Sequence, residues 1–194
     1  MGTVTDCYNP YEVKYGITRS ILEQLVGVDC YLQIATKNKL ILRDLDLLKK
    51  MKHLSVALSV NTLDENFRRD MDWASTVRER LETLRTLHEN GIYTILFMSP
   101  IFIGVTDWKA IIETSRSFVS EYWFEDLNLR GGYKNVIMQY VQGHYPDSYP
   151  LYERIYIQGD KTPLMEIENE IIAYCHDNDI LFSDYFITRG NPKS

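Results

Sequence analysis

The stretch that decides the fold is Ile92-Tyr93-Thr94-Ile95-Leu96-Phe97-Met98, which is almost continuously apolar. A run of this kind predicts a β-strand buried on both faces, because a strand with one face in water would alternate apolar and polar residues. Strands buried on both faces are typical of parallel sheets that are covered by helices. The stretch therefore predicts an α/β protein.

The segments on either side of this strand repeat the same pattern. Further strands are predicted at 30–35, 54–60 and 122–129, and the opening residues, 1–12, have the pattern of the tail of a strand followed by a polar loop. Apolar residues at helical spacing separate these strands, so a βα unit begins every few dozen residues, and crossovers of this length imply parallel strands. The pattern predicts one domain over 1–194, part of a barrel or an open sheet, with a mainly helical region at 131–194.

Capping residues mark the starts of three predicted helices. Asp64 follows the strand at 54–60 as a turn and cap residue, and Thr76 with Glu79 has the spacing of a capping box. Thr106 is predicted as the N-cap of the next helix. These residues place two helices between the strands at 54–60 and 92–98 and one helix between the strands at 92–98 and 122–129.

The composition excludes several classes of protein. The 194 residues are 45% hydrophobic and 25% charged, as in an ordinary globular protein, and the net charge of −6 lacks the basic footprint of non-specific nucleic-acid binding. Three widely spaced cysteines, Cys7, Cys30 and Cys175, form no metal-ligand spacing and are predicted to be free thiols. No targeting segment or membrane-spanning run occurs, and the predicted location is the cytoplasm.

Polar residues follow each predicted strand. Parallel α/β proteins bind ligands beyond the carboxyl ends of their strands, so these residues are candidates for a site. The candidates are Thr5, Asp6, Tyr8, Lys37, Ser59, Asn61, Pro100 and Arg130.

Lys37 is the most informative of these residues, because it directly follows a predicted buried strand. Its amine could form a Schiff base, bind a carboxylate or phosphate, or begin a solvated loop. For Thr5 and Ser59 the alternative is ordinary turn hydrogen bonding, and for Arg130, before Gly131-Gly132, it is an ordinary turn rather than an anion clamp. No P-loop, GxGxxG or nucleophile elbow is present, so the residues alone predict a ligand-binding α/β protein.

Five ordered stretches extend this prediction through a resemblance. They are Gly2-Thr-Val-Thr-Asp-Cys-Tyr-Asn-Pro-Tyr-Glu12, Ala35-Thr-Lys37, Leu42-Arg-Asp-Leu-Asp-Leu-Leu48, Leu58-Ser-Val-Asn-Thr-Leu-Asp64 and Ser99-Pro-Ile-Phe-Ile-Gly-Val-Thr-Asp107. From residue 1 to about residue 130 the chain resembles the radical SAM superfamily, and within it the branch of DNA repair photolyases related to spore photoproduct lyase. The resemblance implies a partial (β/α) barrel over 1–130.

The resemblance also implies cofactors and residue roles. Members of the superfamily hold a [4Fe-4S] cluster through CxxxCxxC, and cluster-bound S-adenosylmethionine is cleaved to a 5′-deoxyadenosyl radical. By resemblance Thr5 lies near the methionyl amino group, Lys37 and Ser59 contact the methionyl carboxylate, and Asn61 belongs to the same cofactor site. A substrate pocket is expected at Asp6, Tyr8, Pro100 and Arg130.

Two departures from the family pattern lead to further expectations. The CxxxCxxC motif is absent, and Met1 aligns within the second strand of the family's barrel, so we expect a natural protein that is longer at its N-terminus and a chain that is inactive alone. The hydrogen-donating cysteine of the lyase aligns with Thr3, which argues against repair of spore photoproduct itself. A nucleic-acid substrate is implied only by the resemblance.

Two other functions are compatible with the sequence. One is an aldolase-like barrel that uses Lys37 as a Schiff-base nucleophile, which requires an apolar pocket around the amine. The other is a non-catalytic, partner-binding half-barrel that self-associates through an exposed strand edge.

Overall fold

A computed structural model describes residues 1–2, 5–129 and 131–187. The strands are β1 (Tyr31–Thr36), β2 (His53–Ser59), β3 (Tyr93–Ile101), β4 (Glu121–Asp126) and β5 (Phe182–Asp184). The helices are α1 (Glu12–Tyr15), α2 (Ile17–Leu25), α3 (Leu45–Leu48), α4 (Glu65–Met71), α5 (Val77–Glu89), α6 (Trp108–Ser115), α7 (Tyr133–His144), α8 (Tyr149–Tyr152) and α9 (Thr162–Asp177). A 3₁₀ helix at Lys39–Asp44 precedes α3, and a π-helical turn at Glu153–Ile157 follows α8.

The five strands form one parallel sheet in the order β1-β2-β3-β4-β5. The α/β prediction is therefore confirmed, and β5 brings the mainly helical C-terminal region into the same sheet. The predicted opening strand falls partly on residues 3–4, which lie outside the described residues. Met1 nevertheless lies against the outer edge of β1, since the Ala35 amide donates to the Met1 carbonyl at 2.9 Å.

One face of the sheet carries the main core. Alternate strand residues on this face are almost fully buried, and they pack with apolar side chains of α2, α3, α5, α6 and α9. The strand residues are Ile34, Val56, Leu58, Leu96, Met98, Tyr122 and Phe124. Side chains alternate between the two faces of a strand, so the strand residues that lie between these core residues in sequence point to the opposite face of the sheet.

A second core closes the region beyond the carboxyl ends of β3 and β4. It contains Phe67 of α4, Phe102 after β3, Leu127 after β4, and apolar residues of α7 such as Val141. Phe67 and Phe102 meet edge to face with ring centroids 5.0 Å apart. The C-terminal helices therefore pack against the segments that follow β3 and β4.

Two of the three predicted helix N-caps are confirmed. Asp64 caps α4 by accepting from the Asn66 amide, and Thr76 with Glu79 forms the predicted capping box of α5. The prediction of Thr106 as N-cap is wrong, because Asp107 caps α6. The Thr106 hydroxyl instead donates to the Asn61 carbonyl at 3.0 Å, which ties this loop to the end of β2.

Candidate functional site

A cleft of about 650 Å³ lies on the sheet face opposite the main core. We call it the sheet cleft, and its walls come from all five strands or the residues that directly follow them, together with the N-terminal segment. Its lining residues are Gly2, Asp6, Gln33, Ala35, Thr36, Lys37, Ser59, Phe97, Ser99, Trp123, Glu125 and Tyr185. Three of the predicted site residues, Asp6, Lys37 and Ser59, are thus brought together.

Asp6 fixes one corner of the sheet cleft. Its Oδ1 accepts from the Tyr8 amide and the Thr36 hydroxyl, both at 2.8 Å, and its Oδ2 accepts from the Lys37 amide at 2.8 Å. One carboxylate therefore joins the loop after the N-terminal residues to the carboxyl end of β1. Asp6 lines the cleft, but its oxygens already have protein partners.

The Lys37 amine lies in a charged network at the ends of β1 and β2. Its Nζ is 3.6 Å from Asp72 Oδ2, and Asp72 Oδ1 accepts from Arg80. Arg80 is only 2% exposed, and its Nη1 donates to the Ser59 carbonyl at 3.1 Å. Asp72 and Arg80 thus connect Lys37 to Ser59 on the neighbouring strand.

A smaller cavity of about 300 Å³ adjoins the sheet cleft, and Lys37 lines both. We call it the side pocket; it is lined by Lys37, Asn61, Asp70, Met71, Asp72, Pro100, Phe102, Tyr133, Val136, Ile137 and Tyr140. The Asn61 amide donates to the Pro100 carbonyl at 3.0 Å, so these two predicted residues meet here. The structure places Asn61 in the side pocket, apart from Ser59 in the sheet cleft.

The remaining predicted residues lie elsewhere. Thr5 is exposed and lines a separate pocket of about 260 Å³ beside Cys7 and Ile17. Tyr8 is fully buried in the main core, where its hydroxyl donates to Asp44 Oδ2 at 3.2 Å, and this corrects the expectation that Tyr8 faces a substrate pocket. Arg130 lies outside the described residues.

An aromatic wall forms the other side of the sheet cleft and was not predicted from the sequence. Phe97, Trp123 and Tyr185 contact one another edge to face, with ring centroids 5.5–6.4 Å apart. Beside them the Ser99 hydroxyl donates to Glu125. The sequence signal was the spacing of two, since Phe97 with Ser99 and Trp123 with Glu125 lie on one face of β3 and β4.

The described residues do not form a metal site. Among 1–2, 5–129 and 131–187, no group of three His, Cys, Asp or Glu side chains is arranged to hold a metal ion. Burial, and then the charge of Asp6, raise the pKa of the Cys7 thiol to about 11, so at neutral pH it is a protonated thiol and a poor metal ligand. Nor does any helix within these residues have the length and apolar character needed to span a membrane.

Comparison with known proteins identifies relatives of similar sequence. An uncharacterized protein of Methanocaldococcus jannaschii is 35% identical over 181 residues, which cover 93% of this chain and 66% of that protein. An uncharacterized protein of Mycobacterium tuberculosis is 24% identical over 172 residues, which cover 84% of this chain and 51% of that protein. The chain therefore spans between half and two thirds of the length of these curated relatives.

Solved structures show the same fold. Streptococcus suis SuiB bound to S-adenosylmethionine matches 85% of this chain and 35% of its own with a TM-score of 0.56 at 13% identity. SuiB bound to the precursor peptide SuiA matches with a TM-score of 0.55 at 15% identity, over 86% of this chain and 34% of its own. The family description that matches residues 1–114, more than half of the chain, is "Radical SAM superfamily". The chain belongs to the radical SAM superfamily.

Proposed function

We propose that this chain is the S-adenosylmethionine-binding portion of a radical SAM enzyme. The observation that carries the proposal is the meeting of Lys37 and Ser59 at adjacent strand ends of the sheet cleft, in a chain whose residues 1–114 match the superfamily. A lysine ammonium and a serine hydroxyl are suitable donors for the carboxylate of the methionyl group. The proposal treats 1–194 as one domain, because β5 completes the sheet.

The chemistry of the sheet cleft fits S-adenosylmethionine. This molecule carries a carboxylate at one end and a planar adenine ring at the other. Lys37 lies at the β1 side of the cleft, and the aromatic wall of Phe97, Trp123 and Tyr185 lies at the β3–β5 side. Aromatic side chains provide a flat apolar surface on which a base can stack.

The same residues do not fit an iron–sulfur cluster. Superfamily membership implies a [4Fe-4S] cluster, but the sequence has no CxxxCxxC and the described residues contain no three-ligand group. We therefore assign no cluster ligand and no cluster-dependent step of the reaction to residues of this chain. As part of the proposal, the cluster motif lies in residues beyond this sequence, and the chain alone is inactive in radical chemistry.

The finer assignment is to the lyase-like branch of DNA repair photolyases, and its support is the order of the five stretches quoted above. Binding of nucleic acid by this chain is not part of the proposal. Asp6 and Glu125 line the sheet cleft, Asp70 and Asp72 line the side pocket, and the net charge is −6. Carboxylates at these positions would repel the phosphates of a polynucleotide.

The Schiff-base alternative loses its structural premise. Nucleophilic catalysis by lysine at neutral pH requires an amine whose ammonium form is disfavoured, as in an apolar pocket. The Lys37 side chain is 41% exposed and its Nζ lies 3.6 Å from Asp72 Oδ2, so the amine does not lie in an apolar pocket. No observation favours this function over binding of an anion.

The location and the assembly remain proposals. Cys7, Cys30 and Cys175 are free thiols, which supports a reducing, cytoplasmic location. Self-association through an exposed strand edge also stays a prediction, and Met1 already pairs with part of the outer edge of β1. A strictly monomeric mass by light scattering would contradict self-association.

The proposed function is tested by binding of S-adenosylmethionine, measured by calorimetry. Replacing Lys37 with methionine removes the ammonium and keeps the apolar stem. We expect Lys37→Met to weaken binding about fivefold to thirtyfold, the effect of losing a hydrogen bond to a charged group worth ~1–2 kcal/mol. Binding of 5′-methylthioadenosine, which lacks the carboxylate, should not change.

Lys39→Met is the matched control, because Lys39 is exposed and pairs with Glu79 outside the cleft. It should leave the affinity for both ligands unchanged. The proposal is refuted if the unaltered chain does not bind S-adenosylmethionine at millimolar concentration. An equal loss of both ligands in Lys37→Met would also contradict the role given to the Lys37 ammonium.

A further inference from the structure

Lys37 already has a counter-ion within the protein. Its Nζ lies 3.6 Å from Asp72 Oδ2, at the junction of the sheet cleft and the side pocket. The side chains of Lys37 and Asp72 are 41% and 18% exposed, so the pair is reached by solvent from the cavities. An anionic group that enters the sheet cleft therefore meets an ammonium that is already paired.

The two partners of this pair are held very differently. Asp72 Oδ1 accepts from the Ala74 amide at 3.1 Å and from Arg80, and Arg80 in turn donates from Nε to the Ser75 carbonyl at 2.8 Å. Asp72 is thus fixed by its own loop and by a buried guanidinium. The Lys37 amine ends a flexible four-carbon stem, and within the part of the chain that the structure describes it forms no other ion pair. Lys37 is the partner that can move.

We propose that Asp72 is an internal competitor for the Lys37 ammonium, which the carboxylate of a ligand in the sheet cleft must displace. The inference rests on the proposed function, because it takes Lys37 as the group that binds that carboxylate. A ligand carboxylate close enough to accept from Nζ also comes within a few ångströms of Asp72 unless the ammonium moves away. Two carboxylates at such a separation repel each other, and opening the existing pair adds to the cost.

This role and a supporting role predict opposite results for the same substitution. If Asp72 only positions Lys37 for the ligand, removing its charge weakens binding. If Asp72 competes with the ligand, removing its charge releases the ammonium, removes the repulsion and strengthens binding. The sign of the change is therefore a readout that a merely structural role does not produce.

The test substitution is Asp72→Asn, measured with S-adenosylmethionine and 5′-methylthioadenosine on the full chain. Asparagine keeps Oδ1 for the Ala74 amide and for Arg80, and it replaces only the oxygen that faces Lys37. We expect S-adenosylmethionine to bind about twofold to fivefold more tightly, the range for releasing a partly exposed ion pair. The affinity for 5′-methylthioadenosine should stay the same.

Asp29→Asn is the matched control. Asp29 Oδ2 lies 3.7 Å from Lys52 Nζ on the surface, so the substitution opens an ion pair of nearly equal length and changes the net charge equally. Neither ligand should bind differently. Thermal unfolding checks that each variant is folded, and Asp72→Ser, whose hydroxyl can still accept from the Ala74 amide, replaces Asp72→Asn if that variant is unfolded.

The outcomes separate this inference from the proposed function. Tighter binding of S-adenosylmethionine alone in the neutral Asp72 variant supports the competition. Unchanged or weaker binding in that variant, with S-adenosylmethionine bound by the unaltered chain, overturns the inference and leaves the proposed function standing. If the unaltered chain, the neutral Asp72 variant and Asp29→Asn all fail to bind S-adenosylmethionine, the inference and the proposed function are both overturned.

Discussion

Replacing Asp6 with alanine should detach the loop after the N-terminal residues from the end of β1. The carboxylate receives three hydrogen bonds at 2.8 Å, from the Tyr8 amide, the Thr36 hydroxyl and the Lys37 amide. Asp6 is half-buried, so water can replace only some of these bonds in the variant. Losing these bonds should lower the free energy of unfolding and release the backbone of Lys37 from the loop.

The magnitude follows from the number of bonds. A buried hydrogen bond to a charged group contributes ~1.5–3 kcal/mol to the free energy of unfolding. Because water partly reaches Asp6, each of its three bonds contributes less than this. We therefore expect Asp6→Ala to lower the free energy of unfolding by about 3 kcal/mol. In a chain of this size 1 kcal/mol corresponds to ~2–4 °C in Tm, which gives a decrease of about 6–12 °C. Asp6→Asn keeps Oδ1 but turns an amide toward the Lys37 N–H, and it should cost about 1–2 kcal/mol.

The measurement is urea unfolding followed by circular dichroism, with thermal unfolding as a second probe. The control is Asp147→Asn, because Asp147 is exposed and its side chain forms no hydrogen bond or ion pair with any described residue, so its effect should stay within about 0.5 kcal/mol. A cost below about 1 kcal/mol for Asp6→Ala would refute the reasoning. It would mean that the loop is held by its other contacts and that Asp6 is free to serve a ligand.

Two further predictions concern stability. Thr76→Ala removes the hydroxyl that accepts from the Glu79 amide in the capping box of α5, and it should cost about 1 kcal/mol in urea unfolding, whereas Thr76→Ser should cost little. Burial acts to raise the pKa of Asp44, but hydrogen bonds from Arg43 and Arg19 outweigh it and hold that pKa below its usual range. A carboxylate with a lowered pKa stabilises the fold above the unfolded pKa, about 3.9, and this stability is lost as the pH falls through the folded pKa. The urea concentration at the midpoint of unfolding should therefore decrease as the pH is lowered below about 4, and it should decrease less in Arg43→Met. An equal decrease with pH in both proteins would contradict this account.

The sheet could be predicted because each strand is locally encoded. The continuous apolar run at 92–98 became β3, and the runs at 30–35, 54–60 and 122–129 became β1, β2 and β4 within a few residues. Lys37 and Ser59 reached one cleft because parallel strands bring their carboxyl ends to the same edge. These results depend only on periodicity and strand direction, which a single sequence contains.

The aromatic wall could not be predicted by the same means. An apolar residue in a strand buried on both faces has the same sequence signature whether it faces the helices or a cavity. Phe97 and Leu96 are neighbours in such a run, yet Leu96 is in the main core and Phe97 lines the cleft. The polar residues two positions after the aromatic ones, Ser99 on β3 and Glu125 on β4, indicate which face is open.

The position of Tyr8 could not be predicted for a different reason. It follows the predicted opening strand closely, and this position suggested a side chain in the pocket. The partner that decides its place is Asp44, 36 residues later, which itself is held by Arg43 and Arg19. A buried phenol hydroxyl is stabilised by an acceptor, and the non-local pairing of Tyr8 with Asp44 has no pattern in the sequence.

The order of the strands decides between the two architectures that the sequence had left open. A doubly wound sheet reverses its strand order at a switch point and has helices on both faces. Here the order is sequential from β1 to β5, every pairing is parallel, and the main core lies on one face. The structure is therefore a segment of a barrel whose open face is the lumen. In a barrel the lumen side chains alternate with those that face the helices, so Gln33, Ala35, Phe97 and Trp123 are lumen residues by position. The sheet cleft follows from this winding, because an unclosed barrel leaves its lumen side chains facing a cavity.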